Sequence, residues 1–208
     1  EVAASGDPVF LPRDESSAWA WLPLGIRDRF DAAAAAAAGA AGVDGAAGVE
    51  GDLHFAFGDA ARGSAGFRLT HQQALAAQAV ALAAGHAPRV VTFEEVAPLA
   101  MMLGSADLLR AWVLATLGGL AADDEHHARL RDTLLVFLQS GGSYKATAEQ
   151  LTLHKNTVQY RIRKAEESMG RPAGSRYDVE LALRASQWLG SGVLQPARDR
   201  SPAPAGVR

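Results

Sequence analysis

The 208-residue chain contains no cysteine. Disulfides and thiolate-bound metals are therefore excluded, and a reducing compartment suits it. No run approaches the roughly 18 apolar residues that cross a bilayer, and no signal peptide is visible. A cytoplasmic location is the expectation. No methionine opens the chain at Glu1, so it reads as the C-terminal part of a longer protein. Phosphate-loop chemistry is missing as well: Gly58, Gly63 and Gly66 are present, but no Gly-Lys-Ser/Thr accompanies them. Histidine offers no metal site. His126 and His127 are adjacent and would point about 100° apart on a helix. His54, His71 and His86 have no partners at ligand spacing. No metal and no cofactor are expected. The net charge is −3, so any attraction to nucleic acid must come from a local basic face.

What is present favours helix. The chain is 49% hydrophobic, and alanine, the best helix former, supplies much of that. Over the first hundred residues the pattern alternates. Pro8–Leu11 and Ala18–Leu22 flank the polar cluster Pro12–Ser17 and read as a hairpin. Trp19 and Trp21 fall on one side of it, as core residues. Seven consecutive alanines support a helix from about Arg27, broken by Gly39, Gly42, Gly45 and Gly48. The Ala/Gly/Val stretch to Gly51 reads as a mobile connection. A strand over Asp52–Phe57, a glycine loop, a helix from about Thr70 to Ala84 that Thr70 or Ser64 could cap, and a strand over Arg89–Phe93 follow, then a short helix with Pro98. A mixed sheet is expected.

From Ser105 the pattern is helical throughout. Ser105 is placed to cap a helix carrying Leu108, Leu109, Trp112, Val113, Thr116 and Leu117, which Gly118-Gly119 ends. Asp123-Asp124-Glu125 opens the next helix, with Leu130, Leu134, Phe137 and Leu138. Ser143 caps a short helix. A last helix over about Ser175–Leu189 carries Val179, Ala182, Leu183, Ser186 and Leu189 on one face. Residues 193–208, with Pro196, Pro202 and Pro204, read as a disordered tail.

Residues 146–164 look like a helix-turn-helix. In the second helix Val158, Ile162, Ala165 and Met169 make one apolar stripe. From His154 to Lys164 there are four basic residues (Lys155, Arg161, Arg163, Lys164) and no acid. That local sign suits a phosphate backbone. A recognition helix over about 154–168 would enter the major groove with its N-terminal residues nearest the bases. Lys155 could then donate to guanine, and Asn156 or Gln159 could pair with adenine. His154, Thr157, Tyr160, Arg161, Arg163 and Lys164 are assigned to phosphate and backbone. The plain alternative is a solvated polar helix face.

Leu130-Arg-Asp-Thr-Leu-Leu-Val-Phe-Leu138, Ala148-Glu-Gln-Leu, Leu153-His-Lys-Asn-Thr-Val-Gln-Tyr-Arg-Ile-Arg163, Gly170 and Leu181-Ala-Leu183 together closely resemble the C-terminal helix-turn-helix of the PucR/CdaR family of bacterial transcriptional regulators. That domain is similar to the Fis type. Upstream, Phe57-Gly58, Gly66–Ala74 and Val90–Phe93, with the connection Leu117–Leu120, resemble the degenerate GGDEF-like domain of CdaR-type members. The family's effector sensing is assigned to an N-terminal domain, which would lie outside this chain. A working cyclase would need a Gly-Gly-Asp/Glu-Glu-Phe hairpin. Leu11–Ala18 stands there instead, with Asp14 and Glu15 but no glycine pair. Phosphoryl transfer cannot be assembled from these residues, and no enzyme is expected.

The expectation is thus an α+β chain. Residues 1–104 would be a GGDEF-like α/β regulatory or dimerisation module. Residues 105–192 would be an all-α helix-turn-helix domain that binds double-stranded DNA. A homodimer or higher homo-oligomer follows from the two-fold symmetry of most operators. The rival reading is a protein–protein interaction module that keeps the fold without DNA.

Overall fold

A computed structural model describes residues 6–25, 28–44, 53–84, 88–170 and 176–196. The chain divides into two units: Glu1–Leu82 with His86–Gly104, and Ser105–Arg208 with Ala83–Gly85.

In the first unit, β1 (Val9–Pro12) and β2 (Ala18–Trp21) form the expected antiparallel hairpin, with Leu11 opposite Trp19 and Val9 opposite Trp21. Asp14 shapes its turn. Its carboxylate accepts from the Ser16 backbone N–H at 2.9 Å and from the Ser17 hydroxyl at 2.6 Å. The Ser17 hydroxyl first, and the two Ser16 donors after it, hold the Asp14 pKa down at about 2. Trp19 and Trp21 are half-buried and tie the hairpin to α2 (Gly63–Ala83). Trp21 stacks on Phe67 at 4.3 Å, and its indole N–H donates to the Phe67 carbonyl. Trp19 meets His71 edge-on at 4.5 Å.

Two glycine readings change here. α1 (Ala32–Asp44) runs through Gly39 and Gly42 instead of breaking there. Its start is fixed by Asp31, whose carboxylate accepts from the Ala34 N–H at 3.0 Å. A Cβ on Gly39 would come within 2.9 Å of the Phe55 ring, so the missing side chain makes room for β3 (Phe55–Phe57). Likewise α2 begins at Gly63, not Thr70. Thr70 is inside the helix, its hydroxyl donating to the Phe67 carbonyl. The helix needs Gly66 because a Cβ there would meet the Ala61 Cβ at 2.9 Å. The expected start at Arg27, the connection over 45–51 and Asp52 lie outside the described residues.

β3 pairs in parallel with β4 (Val90–Thr92), Ala56 opposite Val91. Parallel and antiparallel pairings are therefore both present, as separate two-stranded ladders among the described residues. α3 (Phe93–Met102) follows β4 directly and includes Pro98. At its start the Glu95 carboxylate accepts from the Thr92 backbone N–H at 3.1 Å and from its hydroxyl at 3.0 Å. Ala77, Val80, Val91, Val96 and Leu99 are the best-buried apolar residues of this unit.

The second unit is α-helical. α4 (Ala106–Leu117) buries Leu109, Val113 and Leu117, while Leu108 is 72% exposed. Ser105 holds the N-cap position without a side-chain bond. A 3-10 turn, Gly118–Ala121, leads to α5 (Glu125–Gln139). Asp124 caps α5 by accepting from the His127 N–H at 2.9 Å, and it meets the ring Nδ1 at 2.7 Å. α6 (Tyr144–Gln150), α7 (Lys155–Met169) and α8 (Arg176–Leu189) complete the unit. α5 packs against α6, α7 and α8, and α4 packs against α8. All five apolar-face residues expected of the last helix are buried. The buried Arg131 of α5 donates to the Leu120 carbonyl at 2.9 Å and the Ala122 carbonyl at 2.6 Å. Burial pushes its pKa down, against the pull of Asp123, Asp132 and Asp124.

The tail begins later than expected. Val193 and Leu194 are buried, and Arg110 donates to the Leu194 carbonyl at 3.0 Å. β6 (Gln195–Pro196) then pairs with β5 (Ala122–Asp123). Residues 93–121, which take in α3, α4 and the turns beside them, contain an 18-residue window with a mean hydropathy of 1.3, apolar enough by length and composition alone to cross a membrane. The core helix of a soluble protein passes the same test.

Candidate nucleic-acid interface

The two helices of the motif are held at a fixed angle by a tight turn. α6 starts where the Ser143 hydroxyl accepts from the Ala146 N–H at 3.2 Å. It ends in a Schellman arrangement. The Leu153 N–H reaches the Ala148 carbonyl at 2.9 Å, and the Thr152 N–H reaches Glu149 at 3.3 Å. Thr152 occupies the left-handed position with φ 53°, the one non-glycine with positive φ among the described residues. Ala148 is small at the point where the chain folds back.

α7 is pinned by its inner face. Val158, Ile162, Ala165 and Met169 are buried, as their spacing predicts. At its far end, Gly118 and Gly119 lie against the last turn. A Cβ on Gly118 would sit 2.5 Å from the Met169 carbonyl oxygen, and one on Gly119 2.6 Å from that of Ser168. Backbone touches backbone there, and Gly118 has φ 54° and ψ −130°, a combination that suits only glycine. Gly170, with φ 70°, ends the helix.

The outer face divides the expected site residues. Lys155, Asn156, Gln159, Tyr160 and Arg163 are exposed. His154 is the N-cap: its Nδ1 accepts from the Asn156 N–H at 3.2 Å, which requires the ring nitrogen to be unprotonated. Thr157 is half-buried. Arg161 does not share the exposure of Lys155 and Arg163 either. It is half-buried, and its guanidinium donates to the Thr133 hydroxyl of α5 at 3.3 Å. Thr133 is fully buried, and its own hydroxyl donates to the Arg129 carbonyl at 2.8 Å. Position 161 is three residues from Val158 and four from Ala165, so it flanks the buried stripe.

Arg163 and Lys164 are not isolated cations either. Glu167 lies 3.6 Å from Arg163 and 2.7 Å from Lys164, and the Lys164 hydrogen bond lowers its pKa. The i,i+3 and i,i+4 spacing carries that signal in the sequence. Lys155, at the N-terminal end where α7 opens, has no carboxylate three or four residues away.

Residues 130–185 match the family of the PucR C-terminal helix-turn-helix domain. The chain carries a PucR-family helix-turn-helix domain. The purine catabolism regulatory protein of Bacillus subtilis (strain 168) is 33% identical over 109 residues, 50% of this chain and 20% of that protein. The transcriptional activator PmfR of Paenarthrobacter nicotinovorans is 31% identical over 104 residues, 50% of this chain and 21% of that protein. The matched stretch thus spans about a fifth of either relative. A solved regulator of polyketide synthase expression from Bifidobacterium adolescentis aligns with 62% of this chain and 51% of its own, at 24% identity and a TM-score of 0.30. At that score the likeness carries no weight here.

Proposed function

We propose that the chain is the DNA-binding part of a bacterial transcription regulator, which docks α7 in the major groove and acts as a homodimer in the cytoplasm. The observation that carries this reading is the outer face of α7. Its first turns present Lys155, Asn156 and Gln159 to solvent beside a buried stripe that fixes their direction. The PucR-type domain and the regulators that share it support the same reading. Asn156 and Gln159 offer the paired donor and acceptor that adenine's major-groove edge requires, and Lys155 offers a donor for guanine. His154, Thr157, Tyr160, Arg163 and Lys164 serve the backbone. Arg161 keeps its charge near the duplex, but its first task is to hold α7 on α5. Effector sensing belongs to a domain outside this chain.

The test is a titration of the chain with genomic fragments recovered by pull-down, against scrambled duplexes, over a range of salt. Asn156→Ala or Gln159→Ala should cost on the order of 1–3 kcal/mol on recovered sites and relax sequence preference. Arg163→Ala should weaken both duplexes alike. Equal losses on both duplexes for all three variants would refute the division of roles. An absence of salt-dependent binding would favour a protein–protein interaction module in its place.

A further inference from the structure

A second set of cations lies at the corner between α5 and α6, outside the recognition helix. Arg176, the first residue of α8, sends its guanidinium there. One amino group donates to the Leu138 carbonyl, and the other lies 3.8 Å from where a Cβ on Gly142 would stand. Lys145, in the first turn of α6, is 85% exposed. The corner itself, Ser140–Lys145, contains no acid. The carboxylates nearby are Glu149, a loose 3.9 Å from Lys145, and Asp178, two residues beyond Arg176. Gly141 and Gly142 have φ of 68° and 83° and close α5, where the Gly142 N–H reaches the Phe137 carbonyl at 2.8 Å. A Cβ on Gly141 would meet nothing within 4 Å, so no side chain crowds the corner at that point.

The simplest role for Arg176 is to cap the C-terminal end of α5, where a cation suits the helix dipole. That bond uses one of five N–H donors, and Arg176 remains exposed. In a helix-turn-helix the first helix crosses the nucleic-acid backbone while the second occupies the groove. The start of α6 is then the point that meets the sugar–phosphate strand.

We propose that Arg176 and Lys145 form a second phosphodiester-binding site at the α5–α6 corner, so that α8 contributes directly to DNA binding. This rests on the DNA-binding reading above. The site is blind to sequence. It sets the register of the domain on the duplex, while Lys155, Asn156 and Gln159 read bases.

The full chain titrated with a random-sequence duplex over a range of KCl concentrations tests this. Lys145→Gln and Arg176→Gln should each flatten the slope of log K against log salt by about 0.9, and the double variant by about twice that. Arg129→Gln removes an exposed cation from the opposite end of α5 and should leave the slope unchanged. Arg176→Gln also deletes the bond to Leu138, so its melting temperature is measured alongside. Lys145→Gln has no such complication. If Lys155→Gln flattens the slope while Lys145→Gln and Arg176→Gln do not, the corner site is overturned and the DNA reading stands. An equal loss in Arg129→Gln would also overturn it, as a diffuse charge effect. Failure of the unaltered chain to bind with any salt dependence would overturn both.

Discussion

Thr152 is strained where the motif turns. A β-branched side chain in the left-handed region costs about 1–2 kcal/mol, and the C′ position it fills is one where glycine is usual. The two backbone bonds of the Schellman turn, from Leu153 and Thr152, hold it there. Thr152→Gly should relieve that strain, less the extra entropy glycine gives the unfolded chain. The expected gain is about 0.5–1 kcal/mol. A denaturant midpoint checks it, and a lower midpoint for the glycine variant would show that the threonine side chain contributes more than the strain removes. Asn156 and Gln159 differ from Thr152 in kind. Their exposure means that truncation should leave the melt nearly unchanged and alter only recognition.

At the scale of elements, the second unit combines a buried apolar core with a few close backbone approaches. Gly118 and Gly141 show this by contrast. Both have positive φ, 54° and 68°, but a Cβ on Gly118 would press on the Met169 carbonyl while one on Gly141 meets nothing within 4 Å. Gly141→Ala should therefore cost only the left-handed penalty, about 1 kcal/mol. Gly118→Ala carries a disallowed backbone and a steric clash, about 3 kcal/mol or more. Equal melting shifts for the two variants would rule out the backbone contact between the 3-10 turn and α7. The same elements explain what the chain's pattern discloses. α7 is readable because its apolar stripe has a helical period and its polar residues from Lys155 to Lys164 include no acid. The inward turn of Arg161 and the Glu167 pairs were also within reach of i,i+3 and i,i+4 spacing. The start of α2 was not. Gly63 and Gly66 have the composition of a loop; the crowding of Gly66 by Ala61 explains why glycine suits the helix at that position, and Gly58, just before the helix, is crowded by the Thr70 carbonyl. Gly39 in α1 misleads for the same reason, through Phe55. At Gly39 and Gly58 a contact distant in sequence decides the position, and local composition contains no trace of it.

At the scale of the whole molecule, a single α7 would cover few base pairs against a genome's competing sites, which makes the proposed homodimer a point to test. α4 is the candidate contact to test first. Its inner side, Leu109, Val113 and Leu117, is fully used within the unit, whereas Leu108 is turned outward. Leu108 shares its outer side with Ala111, one turn on. Leu108→Glu removes no packing inside the unit, so its melting temperature at low protein concentration should match that of the unaltered chain. It should instead place like charges against each other where two α4 helices meet. The expected result in sedimentation velocity is a shift from dimer to monomer. Affinity for a palindromic site should fall at least tenfold, and for a single half-site hardly at all, since each recognition helix is intact and only the linkage between them is lost. A variant that stays dimeric would move the contact away from α4, leaving the first unit to supply it. Loss of half-site binding would instead mean that α4 supports α7 directly, through the Gly118–Ala121 turn.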